Sequence, residues 1–307
     1  MAQQGKGTTV TEAVKGVLAI VAACVIWGLS GLFYKALTHI PAIEIMAHRT
    51  IWGAVLFVIV LALQGRASEP GRVLGRRRGL GVILLAALMV GINWFTFVLA
   101  VQLDKALEAS LGYFIFPLVA VALGVLAFGE RLSRMQAAAV GLAALAVLLL
   151  TVGLGVPPWI ALLLGITFGI YGMLKKRLDM GPVLSVTVEA ILLIPVAGVI
   201  LLIVHGGGGG SFGAGWFDSV MLMLSGPMTA TPLILFSYGA RRAAMASVGL
   251  ISYLNPTLQF LVATLIFHEP FGPWHAVSFA LIWTALAIYT TSRWRQDRAA
   301  ARRSPRS

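Results

Sequence analysis

The segment Ala106-Leu-Glu-Ala-Ser-Leu-Gly-Tyr-Phe-Ile-Phe-Pro117 aligns with Met245-Ala-Ser-Val-Gly-Leu-Ile-Ser-Tyr-Leu-Asn-Pro256, which lies 139 residues later in the chain. Nearer the N-terminus the offset is 141, where Gly28-Leu-Ser-Gly31 aligns with Gly169-Ile-Tyr-Gly172. The chain therefore contains an internal repeat. Each copy holds five hydrophobic spans, and an odd number of spans gives the second copy the opposite orientation in a membrane. Inverted repeats are typical of membrane transporters, whose two halves open a shared cavity to either side in turn.

The composition is that of a polytopic helical membrane protein. Of the 307 residues, 59% are hydrophobic and 11% are charged, and the mean hydropathy is +0.93. A soluble domain has about 25% charged residues. The apolar runs are long and continuous, whereas the strands of a membrane barrel alternate. The single cysteine, Cys24, lies in the first span, so no intramolecular disulfide can form.

Ten spans are predicted from the lengths of the hydrophobic runs, at residues 15–36, 42–63, 79–102, 106–128, 134–152, 158–175, 183–204, 217–239, 244–267 and 273–292. We expect an all-α membrane protein of ten transmembrane helices in two inverted five-helix repeats. The predicted units are an N-terminal segment (1–14), a first repeat (15–152), a second, inverted repeat (153–292) and a basic, disordered tail (293–307). The first apolar run is interpreted as a span, because it is too long for a cleaved leader.

The distribution of basic residues predicts the orientation. All but three of the 23 Lys and Arg residues fall in segments that share one side of the membrane if both termini are cytoplasmic. The exceptions are Lys35, Arg49 and Lys105. The net charge of +12 thus follows from topology, and no nucleic-acid partner is predicted. The expected partners are a small-molecule solute and membrane lipids, and the expected oligomeric state is a monomer or a homodimer.

Ionisable residues inside the spans are the main candidates for solute binding, because a charge within a membrane is costly. Glu44 and His48 share one face of the second span, and Arg49 lies about 100° around the helix. Arg49 is too deep to reach water cheaply and needs a carboxylate, a carbonyl or an anionic solute. Glu189 is the deepest acid and aligns with His48 at the offset of 141. A purely structural ion pair, or a hydrogen-bonded glutamate between helices, is the alternative for these residues.

Further polar and aromatic residues complete the candidate set. The additional predicted substrate-binding residues are Asn93, Trp94, Glu108, Tyr113, Tyr171, Tyr253 and Asn255. Helix bridging is the alternative for Asn93, and placement at a helix N-terminus is the alternative for Glu108. The glutamates that end spans four and nine, Glu130 and Glu269, are expected to cap helices or pair with loops. The glycine run 206–210 is interpreted as a flexible linker, because it carries no phosphate-loop motif.

The repeat-equivalent prolines Pro117 and Pro256 are predicted hinges for alternating access, and passive kinks are the alternative. No catalytic residue, metal site or cofactor is predicted. The chain has no Walker motif, which argues against ATP as the driving force.

Several motifs resemble those of a known family. These are Glu44…His48-Arg49-Thr-Ile-Trp52, Asn93-Trp94, the run Leu107–Leu118 and Phe128-Gly-Glu-Arg131. Together they resemble the RarD group in the EamA branch of the drug/metabolite transporter superfamily, over roughly residues 14–292. The resemblance implies ten helices in two inverted repeats, a bacterial inner-membrane location, a central cavity that faces one side at a time, and transport without a cofactor. The family often has Asn immediately before this proline. Phe116, before Pro117, departs from that pattern, whereas Asn255, before Pro256, retains it.

The leading hypothesis is therefore an inner-membrane secondary transporter, an exporter or facilitator that works by alternating access. Its solute would be a small organic metabolite or drug, such as an amino-acid-like or aromatic compound. One alternative is an intramembrane lipid-modifying enzyme, for which Glu44 with His48 offers the only acid–base pair. Another alternative is a non-transporting membrane scaffold that binds partners through its basic tail.

Overall fold

The computed structural model describes residues 4–76, 79–128, 132–175, 178, 180–243 and 245–303. These residues form a bundle of helices, which are α1 (Gln4–Lys35), α2 (Ala42–Leu63), α3 (Glu69–Leu74), α4 (Leu80–Gln102), α5 (Ala106–Phe128), α6 (Arg134–Leu154), α7 (Trp159–Lys175), α8 (Pro182–Gly206), α9 (Trp216–Ala240), α10 (Met245–Ser252), α11 (Leu254–Leu261), a π-helical segment (Val262–Ile266) and α12 (Pro273–Arg303). Within the described residues, nine segments are long and apolar enough to cross a membrane. The 17-residue apolar helix α7 accounts for the tenth predicted span.

The ninth predicted span is broken. Helix α10 ends at Ser252 and α11 begins at Leu254, and the π-helical segment follows directly. Pro256 explains the position of the break, because a proline has no N–H to donate to the carbonyl four residues earlier, here Ser252, and its ring clashes with that carbonyl. Its repeat partner Pro117 lies inside the continuous helix α5. The two prolines are therefore equivalent in sequence but not in local structure.

The chain ends are more helical than expected. Helix α12 continues to Arg303, so the prediction of a disordered tail is wrong up to that residue. The segment after Ser292 is rich in Arg and Ala, which both favour helix. Helix α1 begins at Gln4, inside the segment that was assigned to a non-spanning N-terminus. The short helix α3 was not predicted.

The internal repeat predicts that exchanging each helix with its counterpart in the other half leaves the pattern of helix contacts unchanged, and the main packing contacts match this prediction. In that exchange α1 corresponds to α7, α2 to α8, α4 to α9, α5 to α10–α11, and α6 to α12. Helix α1 packs on α9 and α11, and its counterpart α7 packs on α4 and α5. Helix α2 packs on α8 and α9, and α8 packs on α2 and α4, while α6 and α12 pack on each other. The boundaries of the two repeats remain a prediction.

Candidate functional site

A cavity lies where the counterpart helices α2 and α8 meet, and helices α4 and α9 complete its wall. We call it the central cavity; its wall includes Arg49, Phe57, Val90, Trp94, Glu189 and Thr229. Its free volume is about 10 Å³, about the room of a single water molecule. In this structure the cavity is therefore too small to hold an organic solute.

Glu189 lies at the centre of a buried hydrogen-bond network. Its side chain is 1% exposed. One carboxylate oxygen accepts from Lys175 Nζ and from Ser185 Oγ, each at 2.8 Å, and the other accepts from Tyr171 OH at 3.1 Å. Lys175 also donates to Ser185 and lies over the Tyr171 ring. The charge of Glu189 is thus balanced within the protein.

Arg49 is also buried, but unlike Glu189 it has no counter-ion within the part of the chain that the structure describes and rests against aromatic rings. Its side chain is 6% exposed, and its Nε and Nη1 atoms are buried without a hydrogen-bond partner among the described residues. Its guanidinium carbon lies 4.5 Å from the centre of the Trp94 ring and 5.5 Å from that of Tyr34. Cation–π attraction stabilises such a placement in part, by about 2 kcal/mol or more when the cation is desolvated.

Glu44 and His48, on helix α2, contact the loop between α8 and α9, which comprises the glycine run and the residues after it. Glu44 accepts from the backbone N–H of Ser211 at 2.7 Å and from that of Phe212 at 3.3 Å. The ring of His48 stacks on Phe212 with centroids 4.7 Å apart. No hydrogen bond joins Glu44 to His48 in the described part of the chain. The pair therefore secures this loop and is not arranged as an acid–base couple.

Asn93 bridges three helices. Its amide nitrogen donates to the carbonyl of Leu164 at 2.9 Å and to Thr167 Oγ1 at 3.0 Å, and its amide oxygen accepts from Tyr113 OH at 3.0 Å. Asn93 is fully buried, and these contacts satisfy both ends of its amide. The geometry accordingly matches the helix-bridging interpretation of Asn93 and links α4, α5 and α7.

Two glutamates cap helices of the bundle. Glu108 accepts from the N–H of Ile160 at the start of α7 at 2.9 Å. Glu269 accepts from the N–H groups of Ala106 and Leu107 at 2.7 and 2.8 Å, and so caps α5. The expectation of capping is confirmed for Glu269, while Glu130 lies outside the described residues.

Of the predicted residues, the fold brings Arg49, Trp94 and Glu189 together at the central cavity, and Tyr171 joins through Glu189. The predicted residues Tyr253 and Asn255 are elsewhere. Tyr253 stands at the break between α10 and α11, and Asn255 accepts a hydrogen bond from Gln259 at 2.9 Å.

Lys175 and Ser185 were missed by the sequence analysis. The spacing of four residues between Ser185 and Glu189 indicates a shared helix face and could have identified Ser185. Lys175 was counted with the cytoplasmic cations, although it ends a helix of 17 residues and lies within reach of Glu189.

Comparison with known proteins identifies the family. The family model described as the EamA-like transporter family matches residues 14–152. The chain is 38% identical over 292 residues to the uncharacterized transporter YojE of Bacillus subtilis, covering 94% of this chain and 97% of that protein. The chain belongs to the EamA-like transporter family.

Other members of the family support the assignment, and the resemblance to the RarD group is confirmed. Protein RarD of Streptomyces exfoliatus is 41% identical over 266 residues, with 86% of this chain and 84% of RarD covered. Protein RarD of Escherichia coli is 35% identical over 276 residues, with 90% and 93% covered. A crystal structure with 18% identity matches with a TM-score of 0.59 over 89% of this chain and 96% of its own, and it supports the fold alone. This EamA-like protein is a multi-pass membrane transporter of the drug/metabolite type.

Proposed function

We propose that this EamA-like protein is a secondary transporter that moves a small organic solute across the bacterial inner membrane by alternating access. The solute binds in the central cavity. Both termini face the cytoplasm, as the distribution of Lys and Arg residues predicts.

The observation that carries this proposal is the placement of two buried charges on counterpart helices. Arg49 is the eighth residue of α2, and Glu189 is the eighth residue of α8. Each charge is thus about 10 Å from the N-terminal end of its helix, given a rise of 1.5 Å per residue. The two helices come from opposite halves of the repeat and share the cavity. A site at the interface of inverted repeats is the arrangement that alternating access requires.

The cavity must open toward one side and then the other. The broken helix at Tyr253 and Pro256 has fewer continuous backbone hydrogen bonds than the unbroken α5. This difference supports a bend in the second half during opening. The contact of Glu44 with residues 211 and 212 lies on the side predicted to be outside, and it must loosen if the cavity opens there.

The test is uptake and efflux in proteoliposomes with a pooled panel of amino acids, aromatic metabolites and chloramphenicol. Wild type is compared with Glu189→Gln, which removes the charge that Lys175 needs. We expect Glu189→Gln to lower the initial flux about tenfold or more, because a bond to a buried charged group contributes about 1.5–3 kcal/mol.

The control is Glu69→Gln, which alters a partly exposed ion pair between Arg66 and Glu69, the first residue of the short helix α3, and should leave the flux unchanged. Flux that survives Glu189→Gln would be consistent with the transporter assignment but would show that Glu189 is not part of the solute path. If wild type moves no member of the panel, the proposed function is contradicted.

A further inference from the structure

We infer that the central cavity recognises the carboxylate of an organic acid through the guanidinium of Arg49. The inference rests on the proposed transport function and names the substrate class of that site.

A carboxylate can pair with either of two edges of the Arg49 guanidinium, Nε with Nη2 or Nη1 with Nη2, and each edge has a donor without a partner among the described residues. Trp94 and Tyr34 make cation–π contacts, which use the face of an aromatic ring and no N–H donor. Nε and Nη1 remain buried without a partner among the described residues. A buried donor on a charged group is costly when unpaired, so a ligand that accepts from it is strongly favoured. The planar fork of a guanidinium matches the two oxygens of a carboxylate.

The acids near the cavity do not supply this partner. Glu189 accepts from Lys175, Ser185 and Tyr171, and these bonds occupy both of its oxygens. Glu44, five residues before Arg49, is held by the loop between α8 and α9. Glu189 and Lys175 balance each other, so the uncompensated charge at the cavity is that of Arg49. The cavity is therefore selective for an anion over a cation.

The rest of the wall determines the body of the solute. Phe57, Val90, Trp94 and Leu193 present apolar or aromatic surface to the cavity. With a single uncompensated cation, the site fits one carboxylate on an apolar body and disfavours a dianion. The predicted substrate class is thus an aromatic or aliphatic monocarboxylate.

The experiment uses probes that differ only at the carboxylate. The full chain in nanodiscs is tested for equilibrium binding of radiolabelled N-acetylphenylalanine and of its neutral amide, and the same probes are followed for flux in proteoliposomes. We expect wild type to bind the acid about 10- to 100-fold more tightly than the amide, as expected for a charge-assisted pair of hydrogen bonds. Because this ratio is measured on wild type, it does not depend on how a variant folds.

Variants then assign the preference to Arg49. Arg49→Gln should bring the ratio of acid to amide close to one. Arg49→Lys should keep part of it, because a point charge remains but the planar fork is lost. Lys35→Gln is the matched control, since Lys35 is a cation at the end of α1 that pairs with Asp104, and it should keep the full ratio.

The outcomes separate this inference from the proposed function. Binding of the acid that depends on Arg49, without flux, would support the carboxylate site and contradict transport. Flux with equal preference for the acid and the amide would support transport and overturn the carboxylate site. A wild type that binds neither probe would overturn the carboxylate site, as would an acid preference that Arg49→Gln retains.

Discussion

The crossing of α2 and α9 allows a prediction with an internal control. At Gly226 on α9, an added Cβ atom would lie 2.4 Å from the carbonyl carbon of Trp52 and 2.5 Å from the nitrogen of Gly53, both backbone atoms of α2. At Gly53, on the other side of the same crossing, the nearest atom to an added Cβ would be the Cα of Gly226 at 4.0 Å. Of the two glycines at this crossing, only Gly226 lies too close to the neighbouring backbone to be replaced by a larger residue without a shift of the helices.

The magnitude follows from two opposing terms. Alanine is favoured over glycine inside a helix by about 0.8–1 kcal/mol, and both variants gain this contribution. Overpacking at Gly226 costs about 1–3 kcal/mol or more, because the atoms it meets are backbone and cannot rotate away. Gly226→Ala should thus be less stable than Gly53→Ala by about 1–3 kcal/mol. At about 2–4 °C per kcal/mol, the difference in Tm is several degrees.

The assay is thermal unfolding of both variants and wild type in the same detergent, followed by size-exclusion fluorescence. We expect Gly53→Ala to unfold at or slightly above the wild-type Tm, and Gly226→Ala to unfold below it. Equal Tm values for the two variants, or a lower Tm for Gly53→Ala, would refute the assignment of Gly226 to the close contact.

Two further predictions concern buried glutamates. Glu44→Gln should speed hydrogen–deuterium exchange at the amides of Ser211 and Phe212 by about tenfold, because a charged acceptor is replaced by a neutral one, and unchanged exchange would argue against Glu44 as the anchor of the loop. Burial raises the pKa of Glu269 despite its two backbone donors, so its folded-state pKa lies above the unfolded value. Its contribution to stability is present below the unfolded pKa and is lost as pH rises through the folded pKa. The Tm of wild type relative to Glu269→Gln should therefore fall as the pH rises above 4.5, and parallel profiles would contradict this.

The span count and the candidate charges could be predicted because they depend on local physics. A hydrophobic run long enough to cross a membrane forms a helix wherever it stands, since the backbone must satisfy its own hydrogen bonds there. Arg49 and Glu189 were identified because a charge inside such a run is costly in any fold. A kink at Pro256 was predicted because proline lacks an N–H. The sequence predicted the same kink at Pro117, however, and did not indicate that the helix breaks at one proline and continues through the other.

The partners of these residues follow from the tertiary structure alone. Glu44 bonds to backbone 167 residues away, and Asn93 reaches a threonine 74 residues away, in each case on a different element. Which side chains meet depends on the rotation and depth of each helix in the bundle, and packing between helices sets both. For this reason Lys175 appears from sequence as one more cytoplasmic cation and in the fold as the ion-pair partner of Glu189. Arg49, by contrast, has two donors without a partner among the described residues beside two aromatic rings, which is why we propose it as the residue that binds the solute.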